Sequence, residues 1–409
     1  MPQLTPGRRL FALITLALGG FAIGTTEFAT MGILPLMADE LTDNFQTQPE
    51  LSIATTGWLI TWYAIGVVVG APVLAMATAR MSQTKLAVWL LGALALGNLI
   101  SSIAPEYLTV AAARFLAGVP HGAYFGVASL LAARIMGPGK QGAGIAIALS
   151  GLTVANVIGV PLGTWLGQVA GWRWTYAFVA VLFVIAMILT IVAVPKVAGD
   201  ASRSPLAELG ALRSLRLWLV IGAAALSLAG FFAVYSYVAE AVVREAALSS
   251  TFIPIALATV GVGMTLGNIF GGWVSDKAME RTAVMGVGAF LGSLLLFWLT
   301  AANPIMLFVS LFLIGFTSST FTPAIQSLLI KAAGRAKLLG ASMNHSAFNI
   351  GNSIGAWLGG IVIAGGLGYL APGLFGALVS GLGLILLIVA FSIIRRRPID
   401  PITEELRIV

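Results

Sequence analysis

Cysteine is absent from all 409 residues. That excludes disulfides, a thiol nucleophile and any cysteine-based metal site, and leaves the redox compartment unread. Charge is nearly as scarce. Asp, Glu, Lys and Arg together make up 9% of the chain, against the roughly 25% that a water-soluble domain needs for its polar shell. Histidine occurs twice. No HExxH, phosphate-binding loop or nucleophile elbow is present, so an enzyme is not expected, and no metal, ATP or bound cofactor is implied. GPGKQG at 137–142 matches the dinucleotide pattern GxGxxG, but no strand precedes it and no βαβ unit holds it, which makes the match accidental. Asn344-His345-Ser346 matches a glycosylation acceptor inside an apolar run and is set aside for the same reason of context.

What is there instead is hydrocarbon. Apolar residues reach 59% and glycine numbers 48, with a mean hydropathy of +0.99. Lipid must therefore be the solvent for most of the chain, and glycine suits helices that pack backbone against backbone within it. The net charge of +7 does not point to nucleic acid, because the basic residues stand singly between apolar runs and form no binding stripe. Arg8 and Arg9 precede an apolar stretch reaching about Met37. It is longer than a signal-peptide core of roughly 7 to 15 residues and reads as a retained first helix.

Runs of about 20 apolar residues span a hydrocarbon core of ~30 Å. Twelve are present, near 10–38, 54–78, 86–104, 107–134, 141–168, 173–195, 216–241, 252–275, 282–301, 304–331, 337–365 and 369–394. Connections on one side hold Asp39, Glu40, Asp43, Glu50, Glu106, Glu240 and Glu245, with Arg173 and Arg244 as basic exceptions. The other side holds Arg8, Arg9, Arg80, Lys85, Arg134, Lys140, Lys196, Arg203, Arg213, Arg216, Lys277, Arg281, Lys331, Arg335, Lys337 and Arg395 to Arg397. Because Lys and Arg stay cytoplasmic, the basic side and both termini are expected in the cytoplasm. A polar stretch at 196–215 divides six spans from six. The expected organisation is an N-terminal bundle over 1–195, a cytoplasmic linker over 196–215 and a C-terminal bundle over 216–409.

The halves also resemble each other. GVPLGTWLG at 159–167 recurs as GNSIGAWLG at 351–359, an offset of 192 (359 minus 167). Phe115, Leu116 and Gly118 correspond to Phe312, Leu313 and Gly315 at an offset of 197 (315 minus 118). The fold class that follows is an all-α membrane protein with twelve transmembrane helices in two pseudo-symmetric six-helix bundles, an arrangement that places a substrate site between the halves near the midplane.

Polar residues inside the spans are the candidates for function. Glu27 is the one charged residue between Arg9 and Asp39, and a charge at a helix centre costs about 2.5 to 3.5 kcal/mol even on the permissive insertion scale. Arg114 lies at a similar depth in the fourth span. Desolvation and a neighbouring cation act on a buried carboxyl in opposite senses, so a conformational change in either would load or unload a proton; a structural counter-ion is the alternative. His121 follows Arg114 by two helical turns on about the same face. It can titrate, line a cavity or simply bond a neighbouring helix. His345, Asn349 and Asn352 form a polar stripe at spacings of four and three, which faces a cavity or another helix because lipid cannot satisfy amides. Tyr124, Asn156, Tyr235, Tyr237 and Thr317 to Thr320 are weaker candidates for the cavity, with interhelical bonding as their plain alternative.

Four segments carry a resemblance: GTTEFATMGILP at 24–35, RFLAGVPHGAYFG at 114–126, GLTVANVIGVPLGTWLGQVAGWRW at 151–174 and LLGASMNHSAFNIGNSIGAWLGG at 338–360. Through them the chain resembles the drug:proton antiporter branch of the major facilitator superfamily over its whole length, and within it bacterial sugar-efflux permeases of the arabinose-efflux type. The resemblance implies an inner-membrane exporter that works as one chain and exchanges protons for a small molecule, whether sugar, amphenicol-like drug or other metabolite. It also implies that Arg114, in an RxxxG pattern, supports proton coupling. Gly151, Gly159, Pro161, Gly163 and Gly167 match the glycine–proline signature associated with antiport, where a gate between halves is expected. The family's loop after the second span departs here, as ATARMSQTKLA with Ala79 in the acidic position. Its second copy, GGWVSDKAMER at 271–281, keeps Gly272, Asp276, Lys277 and Arg281 and is the stronger candidate for a conformational latch. A proton-coupled uptake symporter on the same fold, and a channel or receptor without coupling, are the readings left open.

Overall fold

A computed structural model describes residues 5–78, 81–137, 140–197, 214–333 and 337–396. Among them are twelve helices long and apolar enough to cross a membrane. In the N-terminal half these are α1 (Pro6–Gly32), α2 (Pro49–Gly70), α3 (Gln83–Ile103), α4 (Tyr107–Met136), α5 (Gly144–Ala170) and α6 (Trp172–Ala193). In the C-terminal half they are α7 (Leu215–Glu245), α8 (Ser250–Ser275), α9 (Lys277–Thr300), α10 (Pro304–Ala332), α11 (Met343–Ala364) and α12 (Ala371–Ile393). The expected linker lies mostly within 198–213, and Ala79 and Arg80 of the first loop motif also lie outside the described residues.

Three elements differ from their sequence expectation. The first span, expected over 10–38, stops at Gly32, and a short helix, Leu34–Leu41, follows. Pro35 accounts for the break, because its ring has no N–H to offer the carbonyl of Met31 and crowds the preceding turn. The seventh span turns at Ser236 and Tyr237 and ends in a π-helical turn, Ala241–Glu245. Near the start of α9 the expected loop shrinks to one non-helical residue, Ala278 (φ −153°, ψ 65°), so the ninth span is helical before residue 282.

Packing repeats between the halves. Gly118 of α4 meets the backbone of α2 at Tyr63 and Val67, and Gly315 of α10 meets the backbone of α8 at Val260 and Met264. All three pairs of positions, 118 and 315, 63 and 260, and 67 and 264, are related by the offset of 197, as are Gly66 against Phe115 and Gly263 against Phe312. No Cβ fits at such crossings because a backbone carbonyl occupies its place, and glycine lets the helix axes close in. Likewise Gly159 and Gly163 of α5 rest on α1 at Thr25 and Ala29, while Gly351 and Gly355 of α11 rest on α7 at Ala229 and Ala233. Within each half the pairs α2–α4 and α1–α5 correspond to α8–α10 and α7–α11. Across the seam the halves touch through α2–α11 and α5–α8. Large apolar side chains such as Trp89, Leu108, Val192 and Ile305 stand exposed on the outside, as a lipid-facing surface requires.

On the acidic face the two basic exceptions have local partners. Arg173 is ion-paired with Glu40, which also accepts from Trp172 Nε1 at 2.7 Å, and Arg244 is ion-paired with Glu240. Each pair tucks a cation among acids, so neither arginine adds an unpaired positive charge to that side.

Candidate functional site

Glu27 sits five residues from the end of α1, only 2% exposed. Its neighbours on the helix are threonines whose hydroxyls are bonded. Thr25 donates to the Phe21 carbonyl at 2.8 Å, and Thr30 donates to the Thr26 carbonyl at 2.8 Å and contacts the Tyr176 hydroxyl at 2.9 Å. Thr26 is the hub. Its hydroxyl donates to Asn98 Oδ1 on α3 at 2.5 Å and accepts from an Arg114 guanidinium nitrogen at 3.0 Å, while its carbonyl accepts from the other terminal nitrogen at 3.3 Å. Arg114, 1% exposed, lies 4.2 Å from the ring centroid of Tyr63 and 5.2 Å from that of Tyr176. Two aromatic faces thus replace the water that this cation lost.

Among the described residues no ion pair joins Glu27 to Arg114; the arginine grips the adjacent Thr26 instead. The partner of Glu27 comes from the other half: Asn352 Nδ2 on α11 donates to its Oε1 at 3.3 Å. Beside this contact Phe28 stacks on Phe232 with centroids 6.4 Å apart and meets Tyr235 and Phe348 edge-on at 5.8 and 6.3 Å. Five buried polar atoms of the candidate residues have no partner among the described residues: Arg114 Nε, Asn156 Oδ1, Asn349 Oδ1, Asn352 Oδ1 and the Tyr235 hydroxyl. An unpaired buried polar atom costs about 1 to 3 kcal/mol, so these atoms call for a hydrogen-bonding guest or water.

His121 shares a 3.0 Å hydrogen bond between its Nδ1 and the Tyr63 hydroxyl, and its ring faces Phe125 and His345. His345 sits one turn from Asn349, whose Nδ2 donates to its carbonyl at 3.0 Å. Other candidates are tied up between helices. Tyr124 donates to the Leu16 carbonyl of α1 at 2.8 Å, Tyr237 donates to the Ala356 carbonyl of α11 at 2.6 Å, and Thr317 bonds Leu313 and Ser293. Asn156 lies in a π-helical turn, Ala155–Gly159, directly before Pro161. The wider turn absorbs the missing proline donor, and such bulges recur at functional positions.

The glycines of the glycine–proline signature make their close approaches within their own bundle. Gly151, Gly159, Gly163 and Gly167 meet α1 and α6 of their own bundle; where α5 crosses to the other half the close approach is made by Gly261 of α8, against the backbone of Asn156. In the second loop motif Lys277 lies 3.6 Å from the Trp273 ring centroid and Arg281 is exposed, while the Asp276 side chain is outside the described set. Sequence reasoning missed Thr26, Asn98, Tyr63 and Tyr176. A lone amide in an apolar span was a usable signal for Asn98; nothing local distinguishes the two tyrosines from ordinary interfacial ones.

A family model described as the Major Facilitator Superfamily matches residues 16–242 and again 217–407. The inner membrane transport protein YdhP of Escherichia coli (strain K12) is 34% identical over 388 residues, covering 95% of this chain and 97% of that protein. The chloramphenicol resistance protein of Streptomyces lividans is 31% identical over 365 residues, 88% of this chain and 91% of its own. In fold, the chain is similar to the crystal structure of a bacterial homolog to the human lysosomal transporter Spinster, in inward-facing and unoccupied conformation, with a TM-score of 0.68 at 14% identity over 95% of this chain and 96% of that one. These are transporters, not enzymes, and this multi-pass inner-membrane chain belongs to the major facilitator superfamily.

Proposed function

We propose that the chain is a proton-coupled efflux antiporter that exports a small uncharged molecule by alternating access, with its basic face and both termini in the cytoplasm. One observation carries this reading: a carboxyl sealed from water in the N-terminal half is held by an amide of the C-terminal half. Rocking of the halves breaks that contact and lets water or a guest reach Glu27, so the energy of its charged form depends on which side is open. Arg114 acts as the fixed cation nearby, and the unpaired atoms of Asn352, Asn349, Asn156 and Tyr235 supply donors and acceptors for the guest. Few intramembrane charges argue against strongly charged cargo. Relatives named for chloramphenicol resistance and sugar efflux support export.

Inside-out vesicles with an acidified lumen test the direction, with radiolabelled chloramphenicol and arabinose as probes. An antiporter fills such vesicles with its substrate, and Glu27→Gln leaves only passive equilibration. Accumulation that instead requires an acidic exterior identifies a symporter and overturns the reading.

A further inference from the structure

The only two histidines in the chain stand 224 positions apart (345 minus 121) and meet across the seam between the halves, ring centroids 6.4 Å apart. Phe125 completes the contact, stacking on His345 at 4.9 Å with the planes 5° apart and meeting His121 edge-on at 5.3 Å. Their depth is telling. His121 lies seven residues past Arg114 on α4, about 10 Å nearer the basic face. His345 lies seven residues before Asn352, the partner of Glu27. The three rings therefore stand between Glu27 and the basic face.

We propose that His121 and His345 form a proton-operated gate on the basic side of Glu27, closed when both rings are neutral and opened when either one takes a proton. Neutral imidazoles and a phenyl ring pack as an uncharged plug. A proton on either ring creates a buried cation, which demands water or an anion. The charged and titratable groups facing the pair are Tyr63 from α2, Arg114 from α4 and the other histidine; the carboxyl of Glu27 lies beyond them on α1 and is already held by Asn352. With one ring on each half, the demand for water and the repulsion between cations both act along the coordinate that parts the bundles. The gate goes beyond the proposed coupling and does not require Glu27 to be the carrier.

The absence of native cysteine makes the test direct. A single thiol from Asn349→Cys sits one turn from His345, on the side toward Asn352. It is labelled with a membrane-impermeant maleimide added on the basic side of the membrane, and its rate is divided by that of an exposed thiol from Lys140→Cys to remove the pH dependence of the reagent. The normalised rate is expected to rise at least about tenfold between pH 7.5 and 5.5, a factor corresponding to one pH unit of linkage. It is expected to stay flat with His121→Gln and His345→Gln combined, and to keep its response with Glu27→Gln. A response that persists without the histidines, or that vanishes with Glu27→Gln alone, overturns the gate. A second readout needs only single replacements: imidazole-labelled protein shows two histidine signals by NMR, and each titration midpoint must move when the other histidine becomes glutamine. Midpoints that ignore each other also overturn it.

Discussion

The two halves share a scaffold but not a chemistry. The packing positions correspond by constant offsets, 197 for α2 and α4 onto α8 and α10, and 204 for α1 onto α7 (233 minus 29). Applied to the site, those offsets pair Glu27 with Phe231, Arg114 with Leu311, His121 with Ser318 and Tyr63 with Val260. Each of these four ionisable residues corresponds to an apolar or small residue in the other half. Phe28 and Phe232 are also mates by the offset of 204, and they touch each other, which places them at the axis relating the halves. Duplication supplied the hinge, and divergence concentrated the charge in one bundle. The buried acid and arginine therefore stand in one half, and the other meets them with His345, Asn349 and Asn352 of α11.

That asymmetry is broken most severely by moving the acid. Glu27→Gln is expected to lower proton-driven transport about 100-fold, which is roughly 2.7 kcal/mol, by removing the titrating group; adding Phe231→Glu should not restore it, because the counterpart of Arg114 in that half is Leu311 and the ring nearest the new carboxyl, Tyr235, carries no positive charge. Recovery of gradient-driven uptake in the double variant would show that position within the pair of bundles is immaterial. Phe231→Glu alone is expected to destabilise the fold by about 2.5 to 3.5 kcal/mol, read as a lower melting temperature in detergent. Next come the shared crossings. Gly118→Val and Gly315→Val should each cost about 1 to 3 kcal/mol, since a backbone carbonyl cannot yield to the added methyls; a large inequality between them would mean that the two scaffolds are not energetically equivalent. The smallest effect is expected from Asn352→Ala. An interhelical bond in a membrane averages about 0.6 kcal/mol, so substrate affinity should change about threefold, whereas a change beyond about 30-fold would make Asn352 a principal binding group.

The reach of sequence reasoning differed between scaffold and site for a physical reason. Spans, the repeat and the special status of Glu27 were legible because the bilayer penalises charge and breaks in helix so strongly that their placement is nearly binary. The break after Gly32 was foreseeable from Pro35, yet it was hidden inside a continuous apolar run. The π-helical end of α7 has no comparable marker in its residues. Arg114 was placed at the right depth, but the hydrogen bonds of its guanidinium to Thr26 were not legible. Which helices the α5 glycines pack on, α1 and α6, was not legible either. Both are questions of helix rotation, and a glycine-rich helix is small on several faces at once, so periodicity does not point.

The sequence by itself determined that this chain lives in lipid, spans it twelve times in two related halves and carries one costly acid in its first helix, because each of these follows from transfer energies and length. Only the tertiary structure decided which groups meet across the seam: Asn352 on Glu27, Phe28 on Phe232, His345 on His121. Those contacts join residues more than 200 positions apart, and they depend on the rotation and crossing of helices. Such geometry is settled by side-chain packing between surfaces that are all similarly apolar, a preference that no single span records.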